Sequence, residues 1–407
     1  MQKDKAADLI HSENSIAPLS NTLVIFLACA AGISVANVYF AQPILDFIAQ
    51  GFALQPAYTG LVITITQLGT IFALLFIVPL GDLVLRKPLL LIQATCLILA
   101  LLLLGSAGQI WLLLLSFFLV GMLGTAMTQS LIVYTSVLSK AEERGAAVAI
   151  VQAGVLFGIL LSRVFAGVFS DLFGWQGVYF SSALIIFLIS FFLWINLPST
   201  GKVRREISYK NIIYSLLEQL CTNRILQIRG VLAFWGFMNL NLFWNALVFP
   251  LSVSPFQYSH SAIGAFGLIG AVGAMVAIRV GKWVDQGYLD KITVCALMLL
   301  ILSWLFLLWL KTSMILFIFG IIILDIAIQA IHVSNQSAIL KQAKIELHAR
   351  LVSAYMLFYA LGSATGGAIA TSVYAHWGWT GICGAGIFSS VLALIFFISN
   401  PKIKIKT

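Results

Sequence analysis

The sequence predicts an all-α integral membrane protein with twelve transmembrane helices in two pseudo-symmetric six-helix halves. Three observations carry that expectation. Hydrophobic residues fill 61% of the 407 positions and charged residues only 9%, far less charge than a soluble chain of this length needs to cover its surface. The apolar residues come in blocks of about 20, the length of helix that crosses a bilayer core, whereas a transmembrane barrel would alternate in segments of about 10. Finally, short segments of the first half of the chain return in the second half at nearly one offset.

Hydropathy places the first six spans at about 21–45, 58–80, 88–107, 110–138, 146–169 and 176–197. The second six fall at about 229–253, 262–284, 292–310, 313–340, 350–374 and 379–399. The expected organisation is a cytoplasmic tail at 1–20, a first half at 21–197, a linker at 198–228, a second half at 229–399 and a cytoplasmic tail at 400–407. Orientation follows from the basic residues, which cluster on cytoplasmic loops. With the N-terminus in the cytoplasm, Arg86, Lys87, Lys140, Arg144, the basic residues of 202–229, Arg279, Lys282, Lys341 and Lys344 all fall on the cytoplasmic side. Lys311 alone falls in an external loop, and Arg163 lies within a span. The same one-sidedness accounts for the net charge of +9. Aromatic and basic residues are not interleaved as a nucleic-acid surface requires, so no nucleic-acid partner is expected.

The linker contains "SYKNIIYSLLEQLCTN". Ile212, Ile213, Leu216, Leu217 and Leu220 recur at helical spacing, as expected of an amphipathic helix lying on the cytoplasmic membrane surface. Cys29, Cys96, Cys221, Cys295 and Cys383 are scattered, without a Cys-x-x-Cys pair. They read as small core residues, neither disulfides nor metal ligands. The apolar run around Cys29 continues past it and is taken as the first span, with no cleaved signal peptide.

The duplication rests on two landmarks. "DLFGWQGVYF" opens the sixth span and "AHWGWTGICG" the twelfth, so that Gly174-Trp175 answers Gly378-Trp379. Asp82 and Asp285, each at the cytoplasmic end of the second span of its half, repeat at almost the same offset. Parallel six-span repeats are the build of a large transporter class, with the substrate site between the halves near the midplane.

Several segments extend this reading to a family. "ANVYFAQPIL" (36–45), "TQLG" (66–69), "VPLGDLVLRKPLL" (78–90), "FGLIGAVGA" (266–274), "GKWVD" (281–285) and "LDIAIQAIHVSNQ" (324–336) occur in order along the chain. Together they resemble the major facilitator superfamily, and within it the bacterial drug:proton-antiporter-like group. The resemblance implies that superfamily's fold, and a cavity lined mostly by the first, fourth, seventh and tenth spans. It also implies a charge latch after the second span, made by Asp82, Arg86 and Lys87 acting on neighbouring helix ends. Val78 and Leu85 stand where the pattern has glycines. In the second copy, Gly281 and Asp285 are kept, while Tyr288, Leu289 and Asp290 depart from it, so a differently paired latch is expected there. The fourth span lacks the arginine of many proton antiporters of the superfamily and has Gln129 as its large polar group. The fifth lacks the antiporter Gly-Pro and carries Arg163 among glycines.

The candidate substrate or coupling residues are polar groups inside spans. Asp325, Gln329, His332 and Gln336 recur at i, i+4, i+7 and i+11, clustering within about 60° on a helix. An aspartate at mid-span costs about 2.5–3.5 kcal/mol on insertion scales. Burial disfavours the charged form of a carboxyl, so the stripe is a proton or substrate site, or else an interhelical hydrogen-bond network. Gln152 and Arg163 fall near one helical face; Arg163 either faces the interior, where it would suit an anion, or snorkels outward and pairs with Asp171. Tyr39 and Gln42 share a face of the first span with Asp46, beside Pro43, which permits a bend. Asn241, Trp244 and Asn245 share a face of the seventh span and suit an amphipathic ligand or packing. Gln67 in "TQLG" and Gln129 complete the set.

The expected function is a secondary transporter working by alternating access, most simply in proton-coupled efflux of a small drug-like or metabolite-like molecule. The alternatives are a proton-coupled importer on the same scaffold, or a non-transporting receptor. No phosphate-binding loop, zinc-helix motif or nucleophile elbow occurs, so neither catalysis nor a catalytic residue, metal or cofactor is expected. The expected driving force is the proton gradient. The expected location is the bacterial inner membrane, as a monomer whose partners are the bilayer and the small-molecule substrate.

Overall fold

The computed structural model describes residues 20–140, 143–198, 208–341 and 348–400, apart from the side chains of Asp82, Ala274, Ile278 and Ala349. The two tails and the first part of the linker, 199–207, therefore lie outside the described residues. Nine helices among the described residues are long and apolar enough to cross a membrane. Two of these, Arg144–Asn196 and Arg350–Ile398, each contain two spans, because the backbone leaves helical geometry at Gly174 and at Gly378. The shorter apolar helix Asn21–Ala36 brings the count to twelve. Span 1 is Asn21–Ala36 with its continuation to Gly51, span 2 Pro56–Gly81, span 3 Arg86–Gly105 and span 4 Ile110–Leu138; spans 5 and 6 share Arg144–Asn196. Spans 7 to 10 are Arg224–Ser252, His260–Asp285, Leu289–Lys311 and Met314–Lys341; spans 11 and 12 share Arg350–Ile398. Ser20 and Asn400 lie on one side, called here the tail side; the other is the far side.

The duplicated Gly-Trp pairs are the two reversals. Gly174 has φ 72° and ψ 171°, and Gly378 has φ 61° and ψ −158°, a region that is essentially closed to residues with a Cβ. The tryptophan that follows each glycine locks the turn onto its own half. Trp175 packs on Phe52 at the far end of span 1, with ring centroids 5.8 Å apart. Trp379 donates from its indole nitrogen to the carbonyl of Leu307 at 2.8 Å, at the far end of span 9.

Span 1 differs from the continuous helix expected over 21–45. The α-helix stops at Ala36, passes through turns into a single 3-10 turn at Gln42–Ile44, and resumes over Leu45–Gly51. Pro43 has no amide hydrogen to give the turn before it. Where the α-helix ends, the Asn37 side chain donates to the Ile33 carbonyl at 2.7 Å and accepts from Ser182 of span 6 at 2.8 Å. The cysteines also divide differently from expectation. Cys383 is buried, but Cys29, Cys96 and Cys295 lie on outward faces of their spans. In a bilayer the outer face is as apolar as the core, so a thiol is not driven inward.

Within the second half, Asn239 of span 7 is a packing hub. Its side-chain oxygen accepts from Trp304 at 2.8 Å and from Ser389 and Ser390 at 3.1 Å each, joining spans 7, 9 and 12. The linker helix Tyr209–Thr222 buries Ile212 and Leu216. It bridges the halves on the tail side, since Tyr209 donates to Phe76 O of span 2 and Arg350 of span 11 donates to Ser215, both at 2.7 Å.

Replacing Gly378 by Ala forces a Cβ into a glycine-only conformation and is expected to cost about 1–3 kcal/mol of stability. Gly384, where an added Cβ meets nothing within 4 Å, is the control. Thermal unfolding of the purified protein in detergent should show a lower midpoint for Gly378→Ala and little change for Gly384→Ala.

Candidate functional site

The interruption of span 1 presents Gln42 to the centre of the molecule. Arg163 of span 5 donates through Nε to Gln42 Oε1 at 3.1 Å. Gln42 Nε2 donates in turn to Asn241 Oδ1 of span 7 at 3.1 Å, and Asn241 Nδ2 donates to Ser363 Oγ of span 11 at 2.9 Å. This thread runs from one half into the other. The Arg163 guanidinium lies 3.9 Å over the Trp244 ring, a cation–π contact whose value rises when water is excluded. Arg163 is only 4% exposed. Among the described residues its two terminal amino groups have no hydrogen-bond acceptor, and no carboxylate lies within 4.0 Å of it. Tyr39 and Tyr359 meet hydroxyl to hydroxyl beside it, again across the halves. Asn245 reaches Asn241 Oδ1 at 3.5 Å.

Asp325 of span 10 is the carboxylate that acts electrostatically on Arg163. It is 8% exposed, and its Oδ2 is buried without a hydrogen-bond partner. Both charged residues rest against the glycine face of span 8. A Cβ at Gly267 would come within 3.1 Å of the Arg163 side chain, and one at Gly270 within 3.1 Å of Asp325 Oδ2. "FGLIGAVGA" thus serves close approach: side chains there would push spans 5 and 10 off span 8.

The polar stripe of span 10 runs from this centre toward the tail side. Asp325 is buried, while Gln329, His332 and Gln336 are half-buried. His332 Nδ1 sits 3.0 Å from the Tyr355 hydroxyl, and Gln336 Nε2 lies 3.3 Å from His332 Nε2. The stripe therefore splits into a deep carboxyl and a separate His332–Gln336–Tyr355 group.

Other sequence candidates lie apart from the cluster. Gln152 is exposed, because eleven residues of helix carry it about 16 Å along the axis from Arg163. Gln67 is buried in span 2 with Oε1 unpartnered. Gln129 reaches across the halves to the Met356 sulfur at 3.5 Å. Asp171 does not pair with Arg163, the alternative left open by the sequence. It closes the far side instead, accepting from the backbone N–H groups of His260 at 3.2 Å and Ser261 at 2.8 Å. The His260 ring, from the second half, lies between two carboxylates of the first: Nε2 is 2.9 Å from Asp46 Oδ1 and Nδ1 is 3.3 Å from Asp171 Oδ1. Spans 2 and 11 meet on the same side, where Thr371 Oγ1 accepts from Gly60 N at 3.0 Å and donates to Ala57 O at 3.1 Å.

The latch residues sit on the tail side. The Asp82 side chain lies outside the described residues. Arg86 opens span 3, and the neighbouring Lys87 donates to the Leu197 carbonyl at the end of span 6 at 2.5 Å, a cation on a helix C-terminus. In the second copy Asp285 pairs with Lys341 of span 10 at 3.0 Å, and Lys341 also donates to Val284 O at 3.2 Å; Gly281 lies near Val333. Sequence reasoning missed Tyr355, Tyr359 and Ser363 of span 11, although their i, i+4, i+8 spacing marks one helical face. It also missed His260, which lies just outside its hydropathy block and has its partners far away in the chain.

Comparison with known proteins agrees with this architecture. The family model described as Major Facilitator Superfamily matches residues 27–343. The chain is 34% identical over 377 residues to a protein of Escherichia coli O157:H7 named as the uncharacterized transporter YgaY, covering 93% of this chain and 95% of that one. It is 24% identical over 393 residues to the multidrug resistance protein MdtG of Klebsiella pneumoniae (strain 342), covering 92% and 93%. Among solved structures it is similar to a POT family transporter in complex with 5-aminolevulinic acid. There the TM-score is 0.75 at 15% identity, over 95% of this chain and 97% of that one.

The far-side clamp can be tested directly. Spin labels at the exposed positions Tyr58 and Val253, in a background freed of native cysteines, report the separation of the halves. In His260→Ala the distance distribution should shift toward longer separations, because two carboxylates lose their shared partner. An unchanged distribution would mean that the clamp does not hold the far side closed.

Proposed function

We propose that this chain, which belongs to the Major Facilitator Superfamily, is a transporter that couples a proton carried by Asp325 to the movement of a small organic molecule. The observation that carries the coupling is the Asp325 carboxyl, buried near Arg163 with an oxygen that has no donor. An unsolvated, unpartnered carboxylate is costly, and taking up a proton relieves that cost. Intramembrane ionisable groups of this kind mark proton and substrate pathways. One charge crossing 100 mV supplies about 2.3 kcal/mol, so neither ATP nor a cofactor is needed.

Alternating access is the mechanism that the contacts support. The halves meet on the far side through Asp46, Asp171 and His260 and through Gly60 and Thr371. The stripe of span 10 becomes more exposed toward the tail side. Rocking the halves about the Arg163–Gln42–Asn241 thread would part the far side and close the tail side. The excess of basic residues on the tail side supports its assignment to the cytoplasm, in a bacterial inner membrane, with the monomer as the working unit.

Two directions share this scaffold. Efflux by exchange is favoured by the likeness to drug:proton antiporters and by the relative named as a multidrug resistance protein. Import by co-transport is favoured by the placement of Asp325 beside, but out of contact with, an arginine.

In proteoliposomes, Asp325→Asn is expected to abolish proton-driven accumulation of a transported substrate while downhill exchange persists. Full proton-driven accumulation in the variant would remove Asp325 as the carrier. Loss of both activities in a folded protein would assign it to binding or packing.

A further inference from the structure

We propose that the Arg163 cluster binds an organic anion, a carboxylate on an apolar or aromatic body, and that anion and proton load together. This rests on the reading of Asp325 as the proton carrier. The first support is the state of the guanidinium. Arg163 is engaged only through Nε, by the neutral amide oxygen of Gln42, and through its face, by Trp244. Its terminal fork is unpartnered among the described residues although the side chain is almost wholly buried. That fork matches a carboxylate bidentately. The groups around it are amides, hydroxyls and aromatic rings: Gln42, Asn241, Tyr39, Tyr359 and Trp244. These suit the body of such a ligand and supply no competing charge.

The second support is that the enclosed oxygen of Asp325 leaves no room for a cationic group in this arrangement. Its Oδ2 is enclosed against Gly270, whose own added Cβ would strike Leu160 as well as the carboxyl. A ligand amine has no route to that oxygen, whereas a proton needs no space. Through this oxygen Asp325 acts on a ligand by way of Arg163 and not by contact.

The sign of the coupling follows. With Asp325 ionised, its charge offsets that of Arg163 and an anion gains little. With Asp325 protonated, the guanidinium is uncompensated and the anion is attracted. By linkage the anion then favours the proton equally. Among the described residues the other titratable groups facing the pair are Tyr39 of span 1 and Tyr359 of span 11, with His332 two turns along span 10; span 8 meets the pair through Gly267, Gly270 and Gly273. Neither tyrosine hydroxyl nor a histidine bonded to Tyr355 supplies a second carboxylate. Co-loading of proton and anion is co-transport, whereas exchange would need a ligand that binds more weakly once Asp325 takes up its proton.

The test uses the full-length protein in nanodiscs and three probes of one shape: benzoate, benzamide and benzylamine. Binding is read by calorimetry at pH 6 and pH 8, and proton uptake by a pH dye in weak buffer. Benzoate alone is expected to bind, more tightly at pH 6 by about fivefold or more, with proton uptake. Arg163→Gln should abolish binding, and Arg163→Lys should retain it weakly, which separates a charge role from a packing role. Asp325→Asn, a mimic of the protonated carboxyl, should bind benzoate equally at both pH values without proton uptake. Benzylamine binding with proton release would overturn the anion site while leaving Asp325 as the carrier. Benzoate binding whose pH dependence survives in Asp325→Asn would keep the anion site and overturn the carrier and the co-loading. No benzoate binding at millimolar concentration by folded protein would overturn the proposal.

Discussion

A full positive charge at the centre of a membrane-spanning helix bundle must be held by dipoles, rings or countercharge, because lipid supplies none. Arg163 imposes that constraint here, and much of the surrounding structure reads as its consequence. Span 1 gives up helical continuity around Pro43, and Gln42 turns an amide oxygen to the guanidinium. Span 7 offers the face of Trp244. Span 10 places a carboxylate where its field is felt but no ion pair closes. Span 8 presents glycines at 267, 270 and 273 on the face that spans 5 and 10 approach closely. Among the described residues the charge is accommodated without a close ion pair, unlike a structural salt bridge.

The contrast with the tail side sharpens the point. Arg229 is also fully buried, yet it is matched locally, with Asp290 at 3.2 Å, Thr293 at 3.0 Å and the Phe397 ring nearby. All those partners belong to its own half. Asp285 and Lys341 likewise pair within one half, and Lys87 caps a helix of the other. Pairs of this kind tie together helices within each half. Across the halves, His260 stands between Asp46 and Asp171 on the far side, whereas the central contacts are made with neutral groups.

Much of this was legible in the chain itself. Blocks of hydropathy and one-sided basic residues locate the spans, and the repeated Gly-Trp pairs mark two turns that only glycine can make. Arg163, Gln42 and Asp325 announce themselves because each is costly where it stands. What periodicity does not encode is which costly residue meets which. Asp171 was an open partner for Arg163 and instead belongs to His260. Tyr355, Tyr359 and Ser363 carry no charge and raise no alarm in an apolar span, although together they form the partner face of the second half. Gln152 shares a helical face with Arg163 but lies far along the axis from it. Direction around a helix is written in the sequence, whereas depth and pairing come from the packing.

Where the halves meet on the far side, much of the joint is bare backbone. Gly60 faces the Gly367 carbonyl, Gly167 the His260 carbonyl and Gly264 the Arg163 carbonyl. Such a joint has no rotamers to re-order when it separates. Gly60 and Gly167 lie away from the central cluster, while Gly264 ties the joint to the backbone of Arg163 itself. Variation at Gly60 or Gly167 would then act on how the halves meet, whereas a side chain at Gly264 would reach Arg163 as well. At the first two positions a lineage could change its tempo without changing its cargo.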